Sequence, residues 1–234
     1  MGTGCRSYFP LSPGPLCGTD NFGRDIFSRI LKGSQVVFFV GAFAVALGLT
    51  AGFLLGAVAG YFGGAADEII MRLMDAKMAF PGVILALVLI AIFGTGLINT
   101  ALALGIMSIP RFCRITRAGF MQIKEMDYIK AARARGVSPF RLIFRHILPN
   151  ITSSLVVTAT LGFSGAVLSE AGLSYLGLGI QPPDTSWGKM LYEAQSFLLT
   201  QPWYAFIPGI MITLMVLGFN LLGDGLRDIT DNTQ

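Results

Sequence analysis

The feature that most constrains this chain is a set of four long stretches without a charged side chain. They cover residues 33–66, 78–110, 146–169 and 194–223. A transmembrane helix needs about 20 consecutive, mostly apolar residues, and every stretch is long enough for one. Only 13% of the residues are charged, against about 25% in an average soluble domain. The pattern predicts an integral membrane protein and excludes a disordered chain, a coiled coil and most soluble enzymes.

The second stretch is long enough for parts of two helices, because Gly94-Thr95-Gly96 within it is typical of a turn. We therefore expect an all-α, polytopic membrane helix bundle with about five transmembrane helices. The continuous apolar runs do not resemble the short alternating segments of a membrane β-barrel. The predicted spans cover residues 35–61, 69–93, 98–120, 150–172 and 203–223.

The first predicted span carries a glycine at every fourth position, namely Gly48, Gly52, Gly56, Gly60 and Gly64. Such a row is a ridge without side chains, which lets a second helix approach closely inside a bilayer. We expect this ridge to serve helix packing and not to line a pore.

The distribution of Lys and Arg orients the bundle. Nine of the 17 cationic residues lie between Arg111 and Arg145, and only Glu125 and Asp127 oppose them. Because loops rich in Lys and Arg stay in the cytoplasm, this segment and the C-terminus are predicted inside, with residues 173–202 outside. A basic patch also suits nucleic-acid binding, but the topology rule already explains a patch between two spans.

This orientation places the segment before the first span outside the cytoplasm. Residues 1–20 contain no apolar core of a secretory signal. We therefore expect that a first helix is missing and that residues 1–17 mark a truncated or misassigned start. Asp25 and Arg29 in this segment are spaced i,i+4, which predicts an ion pair on a short, solvated helix.

The most informative segment covers residues 127–150. Its first half is typical of a helix that ends before Gly136, a residue suited to the C′ position. Pro139 is tolerated in the first turn of a second helix, and Leu148-Pro149 predicts its end. A helix pair of this kind on the cytoplasmic surface fits two interpretations equally well. It either docks into another protein through a small Ala-Ala face or forms an ordinary amphipathic interfacial loop.

The spacing KAAxxxG, nine residues, then HILP resembles the coupling loop in permease subunits of bacterial ATP-binding-cassette (ABC) importers. The HILPN ending resembles the dipeptide, oligopeptide and nickel branch, and so do GTDNFGRDIFSR, LSEAGLSYLGLGIQPPDTSWG and FNLLGDGLRD. In that family the loop docks into the ATPase subunit. The positions that match are Ala131, Ala132, Gly136, Leu148 and Pro149. Lys130 and His146 stand where the family usually has Glu and Ile.

The resemblance implies a permease that forms half of a translocation pathway for di- or oligopeptides, with nickel chelate and glutathione as alternative substrates. The expected partners are a second homologous permease, two ATPase subunits, an extracytoplasmic substrate-binding protein and the lipid bilayer, without nucleic acid. The resemblance further implies the bacterial inner membrane and no cofactor in this chain. No enzyme activity is expected, because the phosphate-binding motif GxxxxGK[ST] is missing from the sequence.

The expected division of the chain has three parts. Residues 1–33 form an extracytoplasmic segment, and residues 34–228 form the transmembrane domain with its coupling loop at about 121–149. Residues 229–234 form a cytoplasmic tail.

Glu170 is the one acidic residue deep in an apolar run, so a pathway role and a structural hydrogen bond both remain open. A channel or an ion-driven secondary transporter would show several intramembrane charges. A membrane enzyme would need a catalytic pair or metal ligands. With a single histidine and three dispersed cysteines, the chain favours neither alternative, and no metal site is predicted.

Overall fold

The computed structural model describes residues 18–20 and 22–231. Over this part of the chain the predicted all-α architecture is confirmed, and the β contact there is one isolated bridge between Thr19 and Asp25. The predictions for residues 1–17 and for the end of the tail lie outside the described residues. The helices are α1 Ile26–Phe62, α2 Gly64–Met78, α3 Gly82–Phe93, α4 Leu97–Lys124, α5 Asp127–Ala134, α6 Pro139–Leu142, α7 Leu148–Tyr175, α8 Trp187–Ala194 and α9 Trp203–Asp231.

The glycine ridge of α1 packs directly against α4. A Cβ atom on Gly56 would lie 2.5 Å from the carbonyl oxygen of Cys113, and one on Gly60 would lie 2.6 Å from the Cβ of Phe120. Both distances are well inside van der Waals contact, so a side chain at either glycine would force the helices apart. Gly64 is not part of the ridge, because it begins α2 with φ +56° and open space around it.

In the part of the chain that the structure describes, three helices are long and apolar enough to cross a membrane: α1, α9 and a continuous helix of 37 residues, Pro139–Tyr175. They contain three of the predicted spans. The predicted span 98–120 corresponds to α4, which has 28 residues but is less apolar because it carries Arg111, Arg114 and Arg117. Length and composition therefore support three spans, or four if the bent pair α2–α3 counts as one, and not the predicted five.

The predicted span 69–93 is not a single straight helix. α2 and α3 are separated by residues 79–81 and bent by 91° relative to each other. Pro81 explains the break, because it lacks an N–H for helical hydrogen bonding and disfavours helical backbone at the preceding Phe80. α3 has 12 residues and is about 18 Å long, which is shorter than a hydrocarbon core of about 30 Å.

The predicted pair of short helices is present, with one difference. Gly136 adopts φ +77° just after α5, as expected for a C′ residue, and Pro139 begins α6. The second helix does not end at Leu148-Pro149. It continues through a π-helical turn, Ile143–Ile147, into α7. Pro149 lies in the first turn of α7, where the change from π to α hydrogen bonding accommodates its missing N–H.

Candidate functional site

The structure separates the two alanines of the predicted docking face. Ala132 is 8% exposed and packs with Ile129 and Leu142 in a core that α1, α4 and α7 complete. Ala131 is exposed. Side chains of its own protein therefore cover Ala132, and only Ala131 of the pair is open to a partner.

The other predicted coupling residues lie around α5 and at the start of α7. Lys130 is exposed, and its Nζ lies 3.3 Å from Oε2 of Glu125. Gly136 and Pro149 are exposed, while Leu148 is half-buried. Within the described residues, no three His, Cys, Asp or Glu side chains are grouped so that they would hold a metal ion.

An aromatic pair on the same surface was missed by the sequence analysis. Phe140 is 71% exposed and Phe144 is 45% exposed, and their ring centroids lie 4.4 Å apart. Their i,i+4 spacing was the available signal, since it places both rings on one helix face. The same segment of the chain carries four exposed arginines, Arg133, Arg135, Arg141 and Arg145. Exposed aromatic side chains of this kind are typical of a contact surface.

At the other end of the bundle, Arg29 joins the segment before α1 to residues far along the chain. Its Nη1 lies 2.9 Å from Oδ2 of Asp20 and 2.7 Å from Oε2 of Glu193. Nη1 also donates to the hydroxyl of Tyr204 at 3.0 Å, and this hydroxyl donates to Glu193 at 3.0 Å. We call these four residues the Arg29 cluster. The side chains of Arg29 and Asp20 are 9% and 0% exposed, so little water reaches their contact.

The predicted ion pair between Asp25 and Arg29 does not form. Asp25 instead caps α1, because its carboxylate accepts hydrogen bonds from the backbone N–H groups of Phe27 and Ser28. The Ser28 hydroxyl adds a third hydrogen bond of 2.6 Å. Ile26 and Arg29 on one face of this segment are packed onto the bundle, whereas Phe27 and Ser28 are exposed.

Asp20 is kept ionised although it is buried. Burial by itself raises the pKa of a carboxyl group. Hydrogen bonds from the backbone N–H and guanidinium of Arg24 and from the N–H of Phe22, together with the charge of Arg24, outweigh that effect. The pKa of Asp20 consequently lies below its ordinary value of 3.8. The carboxylate thus stays charged opposite Arg29 at neutral pH.

Glu170 is completely buried in α7. The Ser174 hydroxyl donates to Oε1 of Glu170 at 2.6 Å and accepts a hydrogen bond of 3.1 Å from the N–H of Ile180. Oε2 of Glu170 has no hydrogen-bond partner among the described residues. The carboxyl group is therefore connected, through Ser174, to the loop that follows α7.

Comparisons with known proteins identify related sequences over most of the chain. Residues 52–233 match the family described as "Binding-protein-dependent transport system inner membrane component". The dipeptide transport system permease protein DppC of Alkalihalophilus pseudofirmus is 46% identical over 214 residues, which are 92% of this chain and 70% of that protein. The glutathione transport system permease protein GsiD of Pectobacterium atrosepticum is 46% identical over 228 residues, or 96% and 76% of the two chains.

Solved structures share the fold. An inward-facing structure of the MetNI methionine ABC transporter matches with a TM-score of 0.66 and 20% identity, covering 88% of this chain and 96% of that chain. An amino acid ABC transporter matches with a TM-score of 0.62 and 17% identity, covering 85% and 91%. The predicted resemblance to importer permeases is thus confirmed. This chain belongs to the binding-protein-dependent inner membrane components, the multi-pass permease subunits of ABC importers, in which the ATPase is a separate subunit.

Proposed function

We propose that this permease carries short peptides into the cytoplasm, with dipeptides, tripeptides and glutathione as its substrate class. The observation that supports this most is the 46% identity to a dipeptide permease over 92% of the chain. A glutathione permease is equally similar, and glutathione is itself a tripeptide with free carboxylates. Nickel chelates are the competing cargo to be tested beside them.

The permease forms one half of the pathway, opposite a second homologous permease. An extracytoplasmic binding protein delivers the substrate, and two ATPase subunits supply the energy. The surface of α3 supports such an assembly, because its apolar side chains remain uncovered in the single chain. Val83 is 57% exposed and Ile92 is 70% exposed. An uncovered apolar surface of this kind fits lipid or a second subunit.

We place the ATPase contact on the surface around α5 and α6. Lys130, Ala131, Gly136 and Pro149 contribute their exposed atoms to it, while Ala132 and Leu148 support it from beneath. Phe140 adds an apolar anchor of the type that dominates many protein interfaces. Because the segment that carries this ring is rich in exposed arginines, the matching groove on the ATPase is expected to be acidic at its rim and apolar at its centre.

Two substitutions test the coupling surface. Ala131→Glu and Phe140→Ala are each expected to reduce ATPase co-purification and peptide uptake at least tenfold, about 1.4 kcal/mol of binding, with normal membrane insertion. Phe206→Ala in α9 is the matched control, because Phe206 is 68% exposed but lies in another helix. Normal co-purification and uptake in both coupling variants would remove ATPase docking from this surface.

Uptake measurements test the transport function itself. Cells that produce the complete importer are expected to accumulate a labelled dipeptide or glutathione, and this uptake stops when ATP is depleted. A protonophore applied with ATP maintained is expected to leave uptake unchanged. The opposite pattern would identify an ion-driven transporter, and uptake of nickel chelate without peptide uptake would replace the proposed substrate.

A further inference from the structure

Lys77 is half-buried and has an unusual partner for a cation. It lies in the last turn of α2, just before the bend into α3, and its Nζ donates a hydrogen bond to the carbonyl oxygen of Ile106 in α4. This carbonyl lacks a helical partner because Pro110, four residues further on, has no N–H. An ammonium group has three N–H donors, so this contact leaves two of them for another acceptor.

The other charged contacts between α2 and α4 are proper ion pairs. Arg117 pairs with Asp67, and Arg114 lies 2.5 Å from Asp75. Lys77 continues this row along α2 but forms no ion pair with any residue that the structure describes. Among the described residues, Lys77 is thus the cation between α2 and α4 that has no negatively charged partner.

The contact with Ile106 lies well inside the predicted span 98–120 of α4, between two half-buried residues. Ile106 is nine residues after Leu97, the start of α4, which places it about 14 Å along the helix. In the predicted orientation this is near the middle of a hydrocarbon core of about 30 Å. A charge at this depth is costly, and such residues face the interior of a bundle or a water-filled cavity.

A cavity of about 230 Å³ opens beside the Lys77 ammonium. The side chains that line it, apart from Lys77, are apolar. They belong to Met78, Phe80, Leu85, Met107 and Pro110, with Gly82 completing the wall. The irregular backbone at 79–81 forms one edge and is exposed in the single chain. Irregular backbone at membrane depth is tolerated only where protein covers it or water reaches it, so the cavity faces the pathway or the second permease.

We propose that Lys77 is a carboxylate-binding site for the C-terminal carboxylate of the peptide in transit. This inference rests on the proposed peptide substrate. An ammonium with free donors in an otherwise apolar cavity forms strong, charge-assisted hydrogen bonds with a carboxylate. Phospholipid phosphates are the other source of such an anion, but they lie at headgroup level, about half a hydrocarbon core from this depth.

The test compares two peptides in proteoliposomes that contain the complete importer. Dialanine and dialanine amide differ only in the C-terminal carboxylate, and each is supplied at a concentration that saturates the binding protein. The measured quantity is the uptake rate of dialanine divided by the uptake rate of dialanine amide. Lys77→Gln is expected to lower this ratio at least tenfold, while Lys77→Arg retains it. Arg72→Gln, an exposed cation on the same helix but outside the cavity, is the matched control and retains it too.

A second variant separates binding from a purely structural role. Pro110→Ala restores an N–H that bonds the Ile106 carbonyl, so α4 no longer needs Lys77 for that purpose. If Lys77→Gln impairs assembly, Lys77→Gln with Pro110→Ala is expected to recover assembly but not the ratio. Recovery of the ratio along with assembly would show a structural lysine and overturn the proposal.

The remaining outcomes are equally distinct. Rates that fall by the same factor for both peptides in Lys77→Gln would overturn carboxylate binding, and so would a wild-type ratio near one. An effect of Lys77→Gln that disappears in vesicles without anionic lipid would assign the site to a phospholipid. If the wild-type importer moves neither peptide, the proposed substrate class fails first and this inference fails with it.

Discussion

Removal of Arg29 is the perturbation for which the structure gives the clearest expectation. In Arg29→Met, Asp20 and Glu193 lose the guanidinium that lies between them at 2.9 and 2.7 Å. Truncating one partner of a buried ion pair costs about 3–5 kcal/mol. We expect the lower end, about 3 kcal/mol, because Arg24 still lies 2.7 Å from Asp20 and 3.6 Å from Glu193.

Arg24→Met is the matched control for this experiment. Arg24 contacts the same oxygen of Asp20, but its side chain is 47% exposed, against 9% for Arg29. Exposed ion pairs contribute about 0–1 kcal/mol, so the two arginines should differ by at least about 2 kcal/mol. A third variant, Asp20→Asn combined with Arg29→Met, should recover part of the loss, because it removes a buried carboxylate that has lost one of its two guanidinium partners.

Tryptophan fluorescence suits the measurement. The chain has two tryptophans, and Trp187 lies beside the Arg29 cluster, where its indole N–H donates to the carbonyl of Ile30 at 3.1 Å. Unfolding of the purified permease by a denaturing detergent can therefore be followed close to the substituted site. Equal losses for Arg29→Met and Arg24→Met, or a larger loss for Arg24→Met, would refute the argument from burial.

Three further predictions concern stability. The folded pKa of Asp20 lies below the ordinary value of 3.8, so the stability that Asp20 contributes is present above pH 3.8 and is lost as the pH falls through the folded pKa. The midpoint of unfolding should therefore be level between pH 5 and 7 and should decrease below about pH 4. Gly56→Ala should destabilise the protein by about 1–3 kcal/mol and Gly165→Ala by less than about 0.5 kcal/mol, since an added Cβ meets α4 at Gly56 but open space at Gly165. Equal unfolding curves would contradict this. Ala132→Leu should cost about 1–3 kcal/mol through overpacking, whereas the exposed Ala131→Leu should leave the thermal midpoint unchanged.

The sequence predicted those helices whose formation depends on local composition. The spans inside α1, α7 and α9 follow from unbroken apolar runs, and Gly136 predicts the end of α5 because only its own backbone conformation matters there. The break between α2 and α3 was missed although Pro81 was visible. Apolar residues continue across it, so hydropathy stays high while the helix direction changes by 91°.

Contacts between distant residues could not be read from the sequence. Asp25 and Arg29 have the spacing of a helical ion pair, yet the nearest acids to Arg29 are Asp20 and Glu193, and Glu193 is brought there only by the folding of α8 and α9. Ala131 and Ala132 likewise look equivalent in the sequence. Which of them is open to a partner depends on the rotation of α5 about its own axis as it packs against α1 and α4. A run of small residues does not specify that rotation.

The unbroken path from α6 into α7 has a mechanical consequence. Its 37 residues form a rod about 55 Å long, with Phe140 near one end and Tyr175 at the other. A continuous helix of this length acts as a lever, so a tilt applied at Phe140 is expected to displace the far end as well. One inserted residue in α7 would turn everything beyond it by about 100°. Such an insertion would leave both ends of the lever folded but out of phase with each other.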